Sequence, residues 1–206
     1  MVGVVAVGLM LASDRLIKAA VERGIEQETG LRAEIGTFEM QKSAGIIRIQ
    51  DLKLRNSSEF NDALMAYIPE AFVEFDTALA AKAKLHFKNI RLNFAQLNVL
   101  KNVAGQLNLD SVGQVLRERL RLRREQGTET SFEFAGIDRM ELTLGKVVHT
   151  DLKHPGQPMT LDLGLKDEVV THLKTVEDIE KWTGALMFRI LMRISLSPAA
   201  APGSQR

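Results

Sequence analysis

Four histidines are the only side chains in this sequence that titrate near neutrality, and they are the first place to look for chemistry. His149, Asp151 and His154 lie close enough along the chain to suggest metal ligands. Their H-x4-H spacing, just before a Pro-Gly turn, matches no established ligand frame, and a ligating histidine also needs partners behind it. His86 and His172 stand alone. Ser43-Ala44-Gly45 lacks the G-x-S-x-G frame of a nucleophile elbow, and Val103-Ala104-Gly105 holds an isolated glycine where a phosphate loop would need several. Asp51, Asp76, Asp110, Asp138 and Asp162 are scattered, with no two placed to share acid and base roles. The sequence has no cysteine, which removes disulfides, thiolate metal sites and cysteine nucleophiles together. These residues point to a non-enzyme with no cofactor, leaving a site assembled only in three dimensions as the catalytic alternative.

Composition narrows the partners. A net charge of +1 over 206 residues favours neither nucleic acid nor acidic ligands. One Trp, one Tyr and nine Phe are too few for a base-stacking platform, so no nucleic acid is expected. The densest charge lies in SVGQVLRERLRLRREQ, a helical pattern capped by Asp110 or Ser111, with Val112, Val115, Leu116 and Leu120 at helical spacing. Its far half is basic, and Arg117, Arg121 and Arg124 are candidates for contact with anionic lipid headgroups. A solvated helix face explains the same run.

The elements around these residues are strands and helices in a definite order. VGVVAVGLMLA, residues 2–12, is apolar without interruption, and as a helix it reaches about 16 Å, half of a ~30 Å hydrocarbon core. It reads as a membrane anchor whose apolar stretch began further upstream, a cleaved export signal, or a buried core helix. A polar helical pattern follows from Ser13 or Asp14, with Leu16, Ile17, Ala20, Val21 and Ile25 as its stripe and Gly30 as its stop. Strands are expected at RAEIGTFEM, GIIRIQDLKLRN, MAYIPEAFVEFDT, AKLHFKNIRLNFAQLNVLKN, SFEFAGIDRMELTLGKVVHTD and TLDLGLKD. A last helix starts at the Thr175/Asp178 capping pair and carries Ile179, Trp182, Leu186, Met187 and Ile190 on one side.

The strands share an anomaly. Ile47 and Ile49 alternate, the phase slips at Gln50-Asp51, and Leu52 and Leu54 resume it. Similar slips fall at Pro69, at Lys88-Asn89 and at Ala95-Gln96. One inserted residue per slip is what a β-bulge supplies; it returns the apolar side chains to one face and bends the strand. The expected fold class is therefore α+β: a curved, bulged antiparallel sheet of six or seven strands, groove-like, with N-terminal, middle and C-terminal helices. The expected organisation is an N-terminal helix over 1–30, one domain over 31–195 (sheet 31–109, helix 110–126, strands 130–167, helix 175–194) and a flexible tail over 196–206. Residues that keep an oily face for acyl chains or a partner are Ile47, Ile49, Val73, Phe75, Phe87, Ile90, Leu92 and Phe94; the same residues could form a closed core.

The stretch GIIRIQDLKLRNSSEFNDALMAYIPEAFVEFD, followed by KLHFKNIRLNFAQLNVLKNVAGQLNL, resembles the N-terminal module of the AsmA-like envelope proteins, relatives of TamB. The matching elements are Gly45, Asp51, Leu52, Leu54, Asn56, Phe60, Val73 and Ile90, within about residues 10 to 110. The resemblance implies an inner-membrane-anchored protein with its body in the periplasm, membrane lipid as partner, and a part in lipid transport or outer-membrane assembly through an apolar groove. The chain is too short to bridge two membranes, and residues 111–206 do not continue the pattern. A structural or adaptor module, binding an envelope protein partner by a sheet edge or the basic helix, is the alternative.

Overall fold

The structure is a computed structural model that describes residues 13–125 and 133–196, without the side chains of residues 120, 123, 124, 163, 164 and 194–196. The apolar run at 2–12 and the tail at 197–206 lie outside the described residues. Helix α1 (Asp14–Thr29) leads into β1 (Arg32–Glu34), β2 (Thr37–Gln41), β3 (Ile46–Arg55) and β4 (Leu64–Phe75). A one-turn helix α2 (Thr77–Ala80) precedes β5 (Lys84–Lys101). Helix α3 (Asn108–Glu125), β6 (Glu133–Asp151), β7 (Met159–Leu173) and α4 (Val176–Leu196) complete the order.

The strands form one seven-stranded sheet in the order β1-β3-β4-β5-β6-β7, with β2 also on β3 beyond β1. Five pairings are antiparallel, and β5–β6 is parallel. The α+β class and the flanking helices are as the sequence leads one to expect; the parallel pair follows from α3, which forms the crossover such a pair requires.

The phase slips are real, and they line up. Asp51 sits at φ 55, unpaired between Gln50↔Glu70 and Leu52↔Ile68, with Pro69 facing it on β4. Proline has no N–H to offer a ladder, so it fits an unpaired position. The register between β3 and β4 is the same on either side, because both strands slip together. On β5 and β6 the break falls within one residue of that level, at Ala95 and Gly145, between Phe94↔Leu144 and Gln96↔Lys146. A Cβ on Gly145 would lie 2.7 Å from the Ala95 carbonyl oxygen, so the close approach there requires glycine. A second line runs through Lys88, Asp138 and His172 (φ 60), between Phe87↔Ile137↔Leu173 and Asn89↔Arg139↔Thr171. Strands of 18 and 19 residues therefore cross two creases without breaking. Short separate strands, the other reading of the slips, are not what forms.

One face of the sheet carries all the long helices. Ile17, Val21 and Ile25 of α1 pack with Phe38, Ile49, Leu52, Ile68 and Ala71. Ile179 and Trp182 of α4 pack with Ile137, Met140 and Val170, and Ile190 packs with Leu144, Val147 and Leu165. Leu109 and Val112 of α3 join the same core with Val99, which is 0% exposed. The opposite face is polar: Arg48 and Arg91 stack over Phe72 at 5.6 and 4.7 Å from the ring centre, shielding it from water.

Helix ends follow their local chemistry. Gly30 closes α1 at φ 73, donating its N–H to the Glu26 carbonyl, as its position in the sequence predicts. At the start of α4 Asp178 accepts from the N–H groups of Thr175 and Lys174, and its own N–H donates to the Thr175 hydroxyl. Helix α3 begins at Asn108, ahead of the expected cap at Asp110 or Ser111.

The expected membrane-spanning helix is a correction. Among the described residues no helix is long and apolar enough to cross a membrane. Helix α1 carries Asp14, Arg15, Lys18, Glu22, Arg23, Glu26 and Glu28 within 16 residues, and α4 carries charges at both ends. Each is an amphipathic helix that buries one side on the sheet.

Candidate functional site

Direct cross-strand pairing sets out the helix-bearing face as rows. Met40, Ile47, Val73, Ile90, Met140 and Val170 form one row. Phe38, Ile49, Ala71, Leu92 and Leu142 form the next. Beyond the lower crease come Phe75, Phe87, Ile137 and Leu173. All eight candidate lining residues thus fall on one face, seven of them in these three rows; Phe94 follows Leu92 at the next inward position of β5, opposite Leu144.

None of the eight is fully buried. Their surroundings differ along the row. Ile47, Ile49, Leu92 and Phe94 lean on the cluster under α1, while Phe87 and Ile90 lean on the cluster under α4. Val73 and Phe75, on the strand between, belong to none of the three clusters of the core. These side chains form an apolar strip over β4 and β5, with Val73 and Phe75, both half-buried, at its centre. Trp182, the only tryptophan, borders the strip in the same cluster as Phe87 and Ile90.

The strip's margins are held by a few polar ties. Glu168, carried inward by the bulge at Asp167 (φ 51), accepts from both terminal nitrogens of Arg189 at 2.9 Å and so fastens α4 to β7. Arg189 holds the Glu168 carboxyl below the usual carboxylate range. The Asp167 bulge is itself clipped by Thr143, whose hydroxyl donates to Asp167 at 2.8 Å and accepts its N–H at 3.1 Å. At the lower end Asp76 accepts from the N–H groups of Leu79 and Ala78. The Leu79 N–H is the main cause that lowers its pKa. Gly45 closes the β2–β3 turn at φ 67, where a Cβ would collide with the Phe75 carbonyl oxygen. Phe75 in turn donates its N–H to the Gly45 carbonyl at 2.9 Å, so the end of the strip depends on this glycine.

At the opposite end lies a polar knot that sequence reasoning missed. Asn108, 1% exposed, donates to Asn56 Oδ1 at 3.0 Å and to the Asn98 carbonyl at 2.8 Å, and accepts the Leu100 N–H at 3.0 Å. Asn56 donates to the Ala63 carbonyl and Asn98 to the Leu64 carbonyl. The knot ties β3, β4, β5 and α3 together. Its signal in the sequence is an asparagine inside an apolar stretch, QLNL. A cavity of about 390 Å³ opens beside it, between Gly30, Ser57, Phe60 and Val115.

The basic helix places its candidates on solvent. Arg117 is exposed, and Arg121 binds Glu118 at 2.6 Å and Glu125 at 3.0 Å. The hydrogen bond to Glu118 raises the Arg121 pKa further. The Arg124 side chain lies outside the described residues. These three are not brought to the strip by any contact described here.

Of the histidines, His149 meets the Val99 carbonyl at 3.1 Å and His86 meets Asp138 at 3.1 Å. Among the described residues no three His, Cys, Asp or Glu side chains converge as a metal site. The geometry is that of a half-buried apolar strip between the clusters under α1 and α4. No protein-family model, no curated protein and no solved structure matches the chain.

Proposed function

We propose that the chain is a non-catalytic, acyl-chain-binding protein of AsmA-like type, working on membrane lipid in the periplasm of a cell envelope, in lipid transport or outer-membrane assembly. The observation that carries this reading is the strip of half-buried apolar side chains, Ile47, Val73, Phe75, Phe87 and Ile90, whose centre at Val73 and Phe75 belongs to none of the core clusters. Lipid tails would gain ~0.8 kcal/mol for each CH₂ removed from water there, before the cost of ordering the chain. The kinship rests on the same residues as the resemblance, several of which have structural work in this fold: Gly45 at the strip's end, Asp51 at the upper crease, Asn56 in the knot and buried Phe60.

Trp182 supplies the test. A fatty acid brominated at mid-chain should quench its fluorescence saturably, and Phe87→Asp should abolish the quenching while the far-UV circular dichroism stays unchanged. A wild-type protein whose Trp182 is indifferent to the brominated chain at any soluble concentration overturns the reading.

A second reading is an adaptor that binds an envelope protein partner by β-strand addition. It is favoured by β7, which runs 15 residues and, among the described residues, pairs on one side only, with β6. The bulges at Asp167 and His172 interrupt that edge, as they do where edges are guarded against pairing.

A further inference from the structure

We propose that the outer face of the second half of α4, led by Phe188 and Met192, docks on an anionic lipid bilayer and lies in its headgroup layer. The inference stands apart from the acyl-chain reading, whose residues are on the sheet.

Helical geometry sets the face. Ile190, 1% exposed, packs with Leu144, Val147 and Leu165, and Leu186 and Met187 lean on the same cluster. At 3.6 residues per turn, Phe188 and Met192 stand on the side of the helix opposite Ile190, one turn apart. Phe188 is 63% exposed and Met192 41%. A Cβ on Gly184, one turn before Phe188, would meet nothing within 4 Å, and Ala185 beside it is exposed. From Gly184 to Met192 this face carries only small or apolar residues, and it turns away from the sheet that buries the other side. Helix α4 is not apolar enough to cross a bilayer, so the contact is interfacial.

Area selects the kind of partner. Phe188 and Met192 together expose roughly 200 Å² of apolar surface, against about 800 Å² that each side gives to a stable protein interface. Two such side chains do not make a protein seat. They are enough to enter a headgroup layer, where attachment grows with apolar area and with attraction to anionic lipid.

Charge selects the lipid. From Lys181 to its end at Leu196, α4 carries Lys181, Arg189 and Arg193 and no acidic residue. Lys181 heads the outer face, 71% exposed even while it binds Glu177 at 2.8 Å. An exposed pair of this kind is weak and exchanges readily for a lipid phosphate. The acidic residues of α4 are Glu177, Asp178 and Glu180, gathered at its start. The last of them is about 12 Å along the helix from Phe188, beyond the ~10 Å screening length at 0.1 M salt. Glu168 of β7, which ties Arg189 to the sheet, is the one acidic partner given to this half of the helix by a described bond.

The chain has no native cysteine, so a single label reports from one place. Full-length protein with Met192→Cys would carry the polarity-sensitive dye NBD, and Glu177→Cys would serve as the control at the acidic end of the same helix. On vesicles of mixed phosphatidylcholine and phosphatidylglycerol, emission from position 192 should shift to the blue. Lipid with a nitroxide near its headgroup should quench it. The label at position 177 should stay in water. Vesicles of phosphatidylcholine alone should bind at least about fivefold more weakly, the share of a single basic side chain. Phe188→Ser, at an exposed position, should weaken binding about tenfold.

A label at 192 that stays in water while the protein sediments with the vesicles shows that another segment binds, and overturns the proposal. Protein that does not sediment with the mixed vesicles overturns it too, as does equal binding to both kinds of vesicle. A blue shift without vesicles that grows with protein concentration gives the face to a second copy of the chain instead. Vesicle binding lost in Phe188→Ser and Trp182 quenching lost in Phe87→Asp are separate readouts, so this reading and the acyl-chain reading can each fail alone.

Discussion

Replacing Asn108 with alanine tests the polar knot and has a magnitude that can be worked from its bonds. The side chain is 1% exposed and makes three hydrogen bonds, each 3.0 Å or shorter. Alanine leaves the Leu100 N–H, Asn56 Oδ1 and the Asn98 carbonyl without that partner. Each buried group so stranded costs about 1–3 kcal/mol, and water entering the vacated space recovers part of it. A loss of about 3 kcal/mol is expected, a large share of the ~5–15 kcal/mol that holds a domain together. With a urea slope of ~2 kcal/mol per M, the midpoint of unfolding should fall by about 1.5 M, followed by Trp182 fluorescence and circular dichroism together. Asn108→Asp should be at least as damaging, because a carboxylate would face two acceptors where the amide donates. A double-mutant cycle with Asn56→Ala should show a coupling of about 1 kcal/mol or more, since the two side chains share a bond. A midpoint that moves by less than about 0.5 M in Asn108→Ala would show that the knot is not a buried, satisfied network and would refute the energetics assigned to it.

Other expectations follow from the creases and the ties. Gly145→Val should destabilise by about 2 kcal/mol in urea titration, because its Cβ meets the Ala95 carbonyl oxygen at 2.7 Å; an unchanged midpoint would mean that β5 and β6 do not approach closely there. Gly45→Ala should cost as much or more, through both its φ of 67 and its clash with Phe75, and should alter the brominated-lipid quenching that depends on the strip's end. For acid, the sign is set by lowered carboxyl pKa values: Glu168, Asp178 and Asp76 contribute stability that is fully present above their ordinary values of 4.5, 3.8 and 3.8 and is lost as pH falls through their lower folded values. Stability should thus decline below about pH 4.5, and Glu168→Gln should flatten the upper part of that decline by no more than ~1 kcal/mol, as suits an exposed ion pair.

The sequence showed the creases before the structure did, because a single inserted residue leaves a visible break in the alternation of Ile47, Ile49, Leu52 and Leu54. It could not show that the breaks at Asp51, Pro69, Ala95 and Gly145 line up to within one residue, since that is a property of register between strands and not of any one strand. Strand β7 was legible only to Asp167, where its alternation stops; Asp167 turns out to be a bulge, and the β-branched Val169, Val170 and Thr171 beyond it continue the same strand. The parallel pairing of β6 was within reach, because an 18-residue helix between two long strands is the usual mark of a crossover. Asn108 was missed for a different reason. A polar residue in an apolar run reads as an exposed position, and only the convergence of Asn56, Asn98 and Leu100 from distant parts of the chain makes it a buried one. Of the strip, the residue types and the shared face were legible; that Val73 and Phe75 stand outside the clusters under α1 and α4 was not.

The parallel partnership of β5 and β6 has a consequence for synthesis. From His86 onward the paired β5 residues wait for partners 50 positions later, Phe87 for Ile137 and Lys101 for Asp151. At about 5–20 residues per second, a ribosome needs roughly 3–10 s to deliver it. For that interval the 18-residue β5 is the unprotected rim of an otherwise assembled half-sheet, its row of amides and carbonyls available to any neighbouring nascent chain. Expression yield of this protein should accordingly be limited by what escorts β5 through those seconds.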